Sequence, residues 1–518
     1  MPRLWLCVKG ESEMKTALAY EMREMDRQTT EKYLIPSVVL MENAARTVFD
    51  RIISLCVEKG FKSAAVVCGT GNNGGDGFAL ARMLDNAGIK ILVIPVGNTE
   101  KIKGDALINY NIAKKISLEF SDDINCAEKY DIIVDAIFGT GFKGEPKAPF
   151  NGVIEKINSF GKYVVSIDVP SGINADTGSV SGACVKADET VTFVMPKTGM
   201  LFYPAYNYCG KITVSDIGMP KEITENFISP CMYITDEEAK KLLPKRKPDG
   251  NKGTFGRLYV AAGSENMMGA AYFASAAGYR TGCGLVYCFI PQRGVKLMQS
   301  LLPEAVERPV RTSEGKFYSD SFKDIENDID MAKAVIIGPG IDKGEEVTEF
   351  VKIMLKNCKN PVIIDADAIN AAAKDMSMLK NISVPSVITP HIGEMSRLMS
   401  LSVAEIKSNM IGYALDFAKK HNIVTVLKDA RTVIASPDGR VYVNTSGNCA
   451  MSTGGSGDVL TGIIGGFVCQ GMDVFEAAVL GVFVHGRCGD YAAEKMGHYG
   501  VLAGNLIDAL PYVIKNME

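Results

Sequence analysis

A chain of 518 residues with 47% apolar content can fill two or more cores and does not suit a single small domain. Its 56 basic and 60 acidic residues leave a net charge of -4 with no long single-sign run, which argues against a nucleic-acid surface or an acidic tail and favours small-molecule partners. Thirteen scattered cysteines without C-x-x-C spacing, and only four histidines, argue against a zinc cluster and a disulfide framework; the thiols read as reduced and the protein as cytoplasmic.

The opening MPRLWLCVKG has too short an apolar run for a secretory signal, and no segment reaches the roughly 18 uninterrupted apolar residues of a membrane span, so no membrane partner is expected. Residues 1–13 read as an extension from an upstream start, without order. From there the chain repeats one grammar. Short β-branched runs end in Gly- or Asp-bearing loops and lead into helical stretches, the pattern of βα units around a parallel sheet. The first set of strands is predicted at Ala64–Cys68, Ile91–Val96, Ile132–Ala136 and Val164–Ile167. A second set is predicted at Leu258–Ala262, Leu285–Ile290, Ala334–Ile337, Val362–Ile364, Val387–Thr389 and Val424–Leu427. Between them, LPKRKPDGNKG (243–253) reads as a linker or a loop entering the second domain. The boundary falls near residues 218 to 235, giving domains 14–223 and 224–518. Both are α/β, the first doubly wound and Rossmann-like.

The first strand runs into GTGNNGGDG (69–77). Gly69, Gly71 and Gly74 satisfy G-x-G-x-x-G, but the next strand ends in Gly97, Asn98 and Thr99 where a dinucleotide site for hydride transfer wants an acid. No Lys precedes a Ser or Thr, so this is not a P-loop. What remains is a glycine nest carrying Asn72, Asn73 and Asp76. Two further strands end in acids, Asp135 before FGTGFKGEP and Asp168 before VPSG. Asp and Gly are common in βα turns. Three such strand ends together point to a shared crevice, because ligands of open α/β sheets bind at the carboxyl ends of strands.

In the second half the small-residue helix GAAYFASAAGYRTG permits close helix-to-sheet packing. TPHIGEMSRL (389–398) puts His391 and Glu394 at a strand's carboxyl end, where Glu394 could help order magnesium beside nucleotide phosphates. LKDARTVIASPDGRVYVN then reads as a hairpin with a Pro-Asp-Gly turn that could flap over a nucleotide. The run NCAMSTGGSGD (448–458) carries Gly454, Gly455, Ser456 and Gly457, which let consecutive backbone N–H groups point into one concavity suited to an anion. Asp458 opens a helix whose Val459, Leu460, Ile463, Ile464, Phe467 and Val468 share a face. By itself GGSGD also suits a glycine-softened turn with an N-terminal Asp. A carboxylate beside an anion nest has a purpose if it is the base that deprotonates an attacking hydroxyl.

GGSGD resembles the signature of ribokinase-fold phosphotransferases. With NNGGD, GTGFKGE and DVPSG, nearly the whole chain resembles the bifunctional NAD(P)H-hydrate repair family, an epimerase domain followed by an ADP- or ATP-dependent, ribokinase-like dehydratase domain. For the first domain the resemblance implies a hydrated dinucleotide held by Asn72, Asn73, Gly74, Gly75 and Asp76, by Gly139, Thr140, Gly141, Phe142, Lys143, Gly144 and Glu145, and by Asp168. It also implies a potassium ion near Asn73, Asp135 and Ser171, a set of hard oxygen ligands that suits a weakly charged cation. Asp168 is the candidate general acid/base for interconverting the R and S hydrates. For the second domain it implies substrate contacts at Ala270, Gly340, His391, Ile392, Gly393, Glu394, Met395, Ser396, Arg397 and Asp458, with Asp458 catalytic in dehydrating the S hydrate.

Nucleotide contacts are implied at Lys428, Asp429, Ala430, Arg431 and Thr432, and at Asn448, Cys449, Ala450, Met451, Ser452, Thr453, Gly454, Gly455, Ser456 and Gly457, with magnesium accompanying ADP or ATP. Asp429 stands where the family favours Gly, and Ile392 where it favours Pro; the first change puts the local backbone geometry in question. The expected partners are hydrated NADH and NADPH and the nucleotide, and a homo-oligomer is the expected assembly. The rival readings are a vitamin or sugar kinase, and a first domain that is a non-catalytic nucleotide-binding module.

Overall fold

Six parallel strands form the first sheet in the computed structural model: β1 (Ser63–Cys68), β2 (Lys90–Pro95), β3 (Ile132–Ala136), β4 (Tyr163–Ile167), β5 (Glu189–Phe193) and β6 (Lys211–Ser215). Their order is β2-β1-β3-β4-β5-β6, so the winding direction reverses between β1 and β3. That reversal leaves a crevice outside the carboxyl ends of those two strands. Alternate residues of β1 and β3 face opposite layers. Val66, Cys68 and Val134 pack with Val48, Ile52 and Leu80, while Ala65, Val67 and Ile133 pack with Ile154 and Ile157. With both faces covered, the strands need not alternate in polarity, which is why they read as continuous apolar runs. β5 and β6 escaped prediction because ETVTF and KITVS interleave polar residues with apolar ones instead of running continuously apolar. The buried Thr190 satisfies its hydroxyl on the Cys209 carbonyl at 2.6 Å.

Residues 14–229 and 231–518 are described by the structure, so the extension expected at 1–13 lies outside the described residues. The chain divides into compact units Met1–Met232 and Tyr233–Glu518. The sequence reading put the division at 223/224; the segment that follows turns back and is held to the first unit, the Thr16 N–H donating to the Cys231 carbonyl at 3.0 Å.

A second sheet has ten strands: β7 (Met232–Tyr233), β8 (Arg257–Ala261), β9 (Leu285–Pro291), β10 (Val306–Val310), β11 (Ala334–Ile337), β12 (Val362–Ile364), β13 (Ser386–Ile388), β14 (Val424–Leu427), β15 (Val433–Ala435) and β16 (Val441–Val443). Its order is β10-β9-β8-β11-β12-β13-β14-β15-β16-β7, and β8 to β14 are mutually parallel. β10 contains Pro309 and sits at the edge, where a missing N–H is tolerated. The expected flap is corrected: β15 and β16 do form a hairpin, but β15 also pairs antiparallel with β14, and Val433, Ile434 and Ala435 are buried. Apolar residues on both faces fix the hairpin into the sheet.

The small-residue helix, Met268–Thr281, approaches the helix Ser456–Cys469 as well as the sheet. A Cβ on Gly462 would lie 2.2 Å from the Ala274 carbonyl oxygen, and one on Gly278 would lie 2.5 Å from Leu258. This contact holds the glycine run against the rest of the unit. No described helix is long and apolar enough to cross a membrane.

Candidate active sites

In the first unit the chain leaves β1 through Gly69 and enters helix Asn72–Asn86 without a side-chain cap. The turn demands glycine. A Cβ on Gly69 would sit 2.0 Å from the Ile137 carbonyl oxygen, and one on Gly74 would sit 1.9 Å from the Gly69 oxygen. This packing brings Asn73 beside the end of β3, where its amide donates to the Phe138 carbonyl at 3.0 Å. Asp135 is fully buried. Its oxygens accept from the Ser171 hydroxyl at 2.6 Å and N–H at 2.8 Å, and from the Ser166 hydroxyl at 2.9 Å. Burial raises its carboxyl above the ordinary range and outweighs those hydrogen bonds. Asn73, Asp135 and Ser171 are thus joined through one small cluster that includes the Phe138 carbonyl.

Asp168 directly follows β4 with φ +65, a conformation that residues with a side chain rarely adopt and that recurs at functional sites. Its carboxylate accepts from the ammonium of Lys197 and from the Thr192 hydroxyl at 3.1 Å. Lys197 is 1% exposed, and it also donates to Thr192 at 2.9 Å and to the Phe193 carbonyl at 3.1 Å. Around this pair stand two further carboxyls. Asp76 is raised well above its usual range by burial, with Asp168 and Asp26 adding to the shift. Asp26, from helix Ala19–Glu31, keeps contact with solvent, yet crowding by the protein raises it to about 6 against the opposing pull of Lys197. The loop Gly139–Glu145 is mostly exposed beside β3, and its Phe142 stacks on Phe138 with ring centroids 4.6 Å apart. The sequence reading missed Lys197 and Asp26: Lys197 follows an unrecognised strand, and Asp26 lies on a helix that precedes the sheet.

In the second unit the helix Ser456–Cys469 starts at Gly455, with φ +87, and has no side-chain cap. Its leading N–H groups have no intrahelical acceptor, as at any helix start. Lys428, at the end of β14, reaches this turn: a Cβ on Gly457 would lie 3.5 Å from its Nζ. The same ammonium donates to Asp365 Oδ1 at 3.0 Å. Asp365, only 1% exposed, also accepts from Thr389 at 2.7 Å and Thr461 at 2.6 Å. Burial pushes the Asp365 carboxyl up, but Lys428 and the two hydroxyls outweigh it and hold it below its ordinary range. Asp458 is pushed up to about 7 by burial and by Asp365, with Lys428 pulling the other way. A partly buried carboxyl that titrates near neutrality beside a helix N-terminus is equipped to accept a proton.

His391 has a local task. Its Nδ1 accepts the N–H groups of Gly393 and Glu394 at 3.0 and 3.3 Å, while Glu394 accepts the His391 N–H at 2.8 Å, a reciprocal cap for helix Ile392–Met399. Glu394 is buried and raised to about 7, chiefly by that burial. Of the segment His391–Arg397, Ile392 and Met395 are buried inward; Gly393 and Ser396 are half-buried, and Arg397 is exposed. Ala270 and Gly340 meet: a Cβ on Gly340 would sit 2.8 Å from that of Ala270. Asp429 keeps out of the left-handed region and pairs with Lys407 at 3.5 Å, so the residue in the glycine position introduces no backbone strain. Ala430 is exposed, whereas Arg431 and Thr432 are buried and the Arg431 guanidinium donates to the Thr445 carbonyl.

Asn448 caps the short turn Cys449–Met451 and donates to Asp490 at 2.9 Å, while Ser452 and Gly454 are exposed and Thr453 is half-buried. Asp365, Thr461 and His485 were missed. His485 Nε2 lies 3.2 Å from the Ser456 hydroxyl, and burial lowers the ring to about 4, so it holds the glycine turn as a neutral imidazole. Only Asp365 offered a sequence signal, as the acid that directly follows β12.

A sequence profile described as NAD(P)H-hydrate dehydratase matches residues 258–512, and one described as YjeF-related protein N-terminus matches residues 37–199. The chain is 38% identical to the bifunctional NAD(P)H-hydrate repair enzyme Nnr of Moorella thermoacetica over 98% of this chain and 97% of that protein. It is 31% identical to the enzyme of the same name from Escherichia coli over 87% of this chain and 84% of that protein. The crystal structure of a ribokinase-like superfamily protein from Enterococcus faecalis is 26% identical, covers 56% of this chain and 98% of its own, and superposes with a TM-score of 0.50. Similarity of this extent across both units shows that the chain belongs to the family of bifunctional NAD(P)H-hydrate repair enzymes.

Proposed function

We propose that the two sites divide the repair of hydrated NADH and NADPH between them: the first interconverts the R and S hydrates, and the second dehydrates the S hydrate at the expense of ADP or ATP. The observation that carries the second assignment is the placing of Asp458, with a carboxyl raised to about 7, at a glycine turn that also faces the Lys428 ammonium. Asp458 accepts the proton of the ring hydroxyl as that oxygen bonds to the terminal phosphorus and the nucleotide's own phosphate bridge breaks. Lys428 and the free N–H groups of the turn hold the charge that develops on the transferring phosphoryl group. Loss of a ring proton and departure of inorganic phosphate then restore the double bond. Glu394, close enough to Lys428 for their charges to interact, would help to hold the magnesium that accompanies ADP or ATP.

In the first unit Asp168 is the acid/base, Lys197 holds it in place, and Asn73, Asp135 and Ser171 would hold a potassium ion. The donor set fits such an ion. Asp135 is a fully buried carboxylate that accepts only from neutral groups, the Ser166 and Ser171 hydroxyls and the Ser171 and Ile137 N–H, and Asn73 and Ser171 add hard oxygens. A cation bound there would supply positive charge beside Asp135.

The test is to incubate the full chain with both hydrate epimers and ADP or ATP while following dihydronicotinamide absorbance. Complete conversion of the mixture supports both assignments. Conversion of half supports only the dehydratase, and a stable phosphorylated product would identify a kinase instead.

A further inference from the structure

Helix Ala19–Glu31 is fixed to the first site by the residues at its start. Ala17 donates to the Pro196 carbonyl at 3.1 Å and accepts the Thr198 N–H at 3.1 Å, which brackets Lys197, and the Thr16 and Thr198 hydroxyls meet at 2.8 Å. Asp176 accepts the Ala19 N–H at 2.6 Å and so holds the first turn. Met22 and Met25 then bury one face of the helix with Met195, Met219 and Ile223. Asp26, next to Met25, is thereby carried to the Lys197–Asp168 pair, and both of those charges act on it. Neighbouring charges are engaged elsewhere: Arg27 pairs with Glu24 and Glu31, and Lys32 with Glu222 at 3.4 Å.

Three carboxyls, Asp26, Asp76 and Asp168, therefore share one space with one ammonium. Asp168 is held there by Lys197, the Thr192 hydroxyl and the Phe193 N–H. Among the described residues the side chains of Asp26 and Asp76 accept no hydrogen bond and form no ion pair, although Asp76 is only 8% exposed. A polar group so buried is ordinarily satisfied, and the charges of Asp168 and Asp26 both act on it, so its bare oxygens mark this space as the seat of a ligand's polar group. Asp26 stays open to solvent. Asp168 is a carboxylate in an ion pair, fit to take up a proton, whereas crowding by the protein raises Asp26 to about 6 and fits it to give one.

The chemistry of the hydrate needs two such groups. Its hydroxyl is on the ring carbon bonded to nitrogen, so the C–O bond can break as the nitrogen lone pair closes a C=N bond, and inversion requires water to leave one face and return to the other. We propose that Asp26 is the second proton carrier of the epimerase site, giving its proton to the departing hydroxyl on one face of the ring while Asp168 takes a proton from the water that adds on the other; the inference rests on the epimerase assignment above. In the first step the oxygen leaves as water with the Asp26 proton, and the ring becomes a cation charged at nitrogen. In the second a water oxygen bonds to the same carbon, its proton passes to Asp168, and the nitrogen regains its lone pair. The net change is one proton moved from Asp26 to Asp168, which the reverse inversion or exchange with solvent resets. An excess of carboxyls over ammonium suits the cation between the two steps.

Inversion of the pure S hydrate is followed in the full chain without nucleotide, by chromatographic separation of the epimers in water labelled with heavy oxygen. The wild type should place one labelled oxygen on the ring for each inversion. Asp26→Asn should lower kcat by about a hundredfold or more with KM within about twofold. Asp26 must carry a proton to act, so wild-type turnover should fall as pH rises past about 6, and the variant should lack that limb. In Asp26→Ala, formate should restore part of the rate in proportion to its concentration where chloride does not, a result that a structural role would not produce. Asp26 is exposed, so both variants should fold, and a thermal melt checks that they do. A near wild-type rate in Asp26→Asn with the limb intact, inversion without labelled oxygen, or a slowed Asp26→Ala that formate does not rescue would each overturn the proposal and leave the epimerase reading standing. No inversion by the wild-type chain would sink both.

Discussion

Lys428 donates from its ammonium to Asp365 at 3.0 Å across a site in which Asp365 is 1% and Lys428 20% exposed, and the two act on the neighbouring Asp458 with opposite sign. Removing one member of a buried pair leaves the other uncompensated. Asp365→Ala should therefore destabilise the second unit by about 3 kcal/mol, the lower end of the range because Lys428 can turn toward water. Denaturant unfolding followed by a probe confined to that unit measures it, since a two-unit chain need not unfold in one step. A change below about 0.5 kcal/mol would show that Thr389 and Thr461, not Asp365, order this part of the site.

Asp458→Asn keeps the side chain's shape at the third position of its helix, so the fold should lose about 1 kcal/mol or less. The amide cannot accept the hydroxyl proton. Dehydration should fall by roughly two to four orders of magnitude, while nucleotide affinity holds or rises slightly because a negative charge near the phosphates is gone. Epimerisation should be unchanged. Near-normal dehydration would remove Asp458 from the mechanism.

The pH dependence of dehydration has a defined sign. Asp458 must be ionised to act as a base, so kcat/KM for the hydrate should rise with pH through about 7 and then level off. Lys428 pulls that value down, so Lys428→Met should displace the rise toward alkaline pH as well as weakening nucleotide binding. The same carboxyl also bears on stability: its folded value lies above its unfolded one, so its contribution is fully present at acid pH and is lost as pH rises toward and past about 7. A kcat/KM profile flat between pH 5.5 and 8.5 would contradict this assignment.

Asn73→Ala and Asp135→Asn should each weaken the potassium dependence of epimerisation and leave dehydration of the pure S hydrate within about twofold of wild type. Asp135→Asn keeps one oxygen to accept from the Ser166 hydroxyl and the Ser171 N–H, turns its NH2 toward the Ser171 hydroxyl, and loses the charge that a cation would neutralise. Equal loss of both activities would refute the division of labour.

Lys197→Met replaces a buried ammonium by an apolar chain of similar length, and should slow epimerisation by about tenfold or more through a displaced Asp168. Lys197 also pulls Asp26 down, so the variant's Asp26 should titrate above about 6, and any limb of the epimerisation profile that depends on it should move to higher pH. An unchanged profile with reduced turnover would restrict Lys197 to a structural role.

Much of this architecture was legible in the sequence because it rests on local physics. Strands buried on both faces spell continuous apolar runs, and all ten predicted strands are present within a residue or so of their ends. Glycines at 69, 74 and 455 mark turns where a Cβ would collide or φ is positive. Acids in the last residues of a strand or directly after it must lie at the carboxyl edge of the sheet, so Asp135, Asp168 and the segment at His391 were readable as site candidates from spacing alone. Resemblance to one family then supplied the chemistry that spacing could not name.

Only the folded chain decided which of these groups meet. Lys197 and Asp26 come to Asp168 from a loop and a helix far from it in sequence, and Asp365 reaches Lys428 across 63 residues, so no local pattern could pair them. Tertiary packing also settled what each candidate does. His391 turned out to close a helix cap, the hairpin after Lys428 became part of the sheet because both its faces are covered, and Asp458 acquired a near-neutral titration. A carboxyl's proton affinity depends on burial and on charges from other strands, and those are fixed only when the sheet assembles.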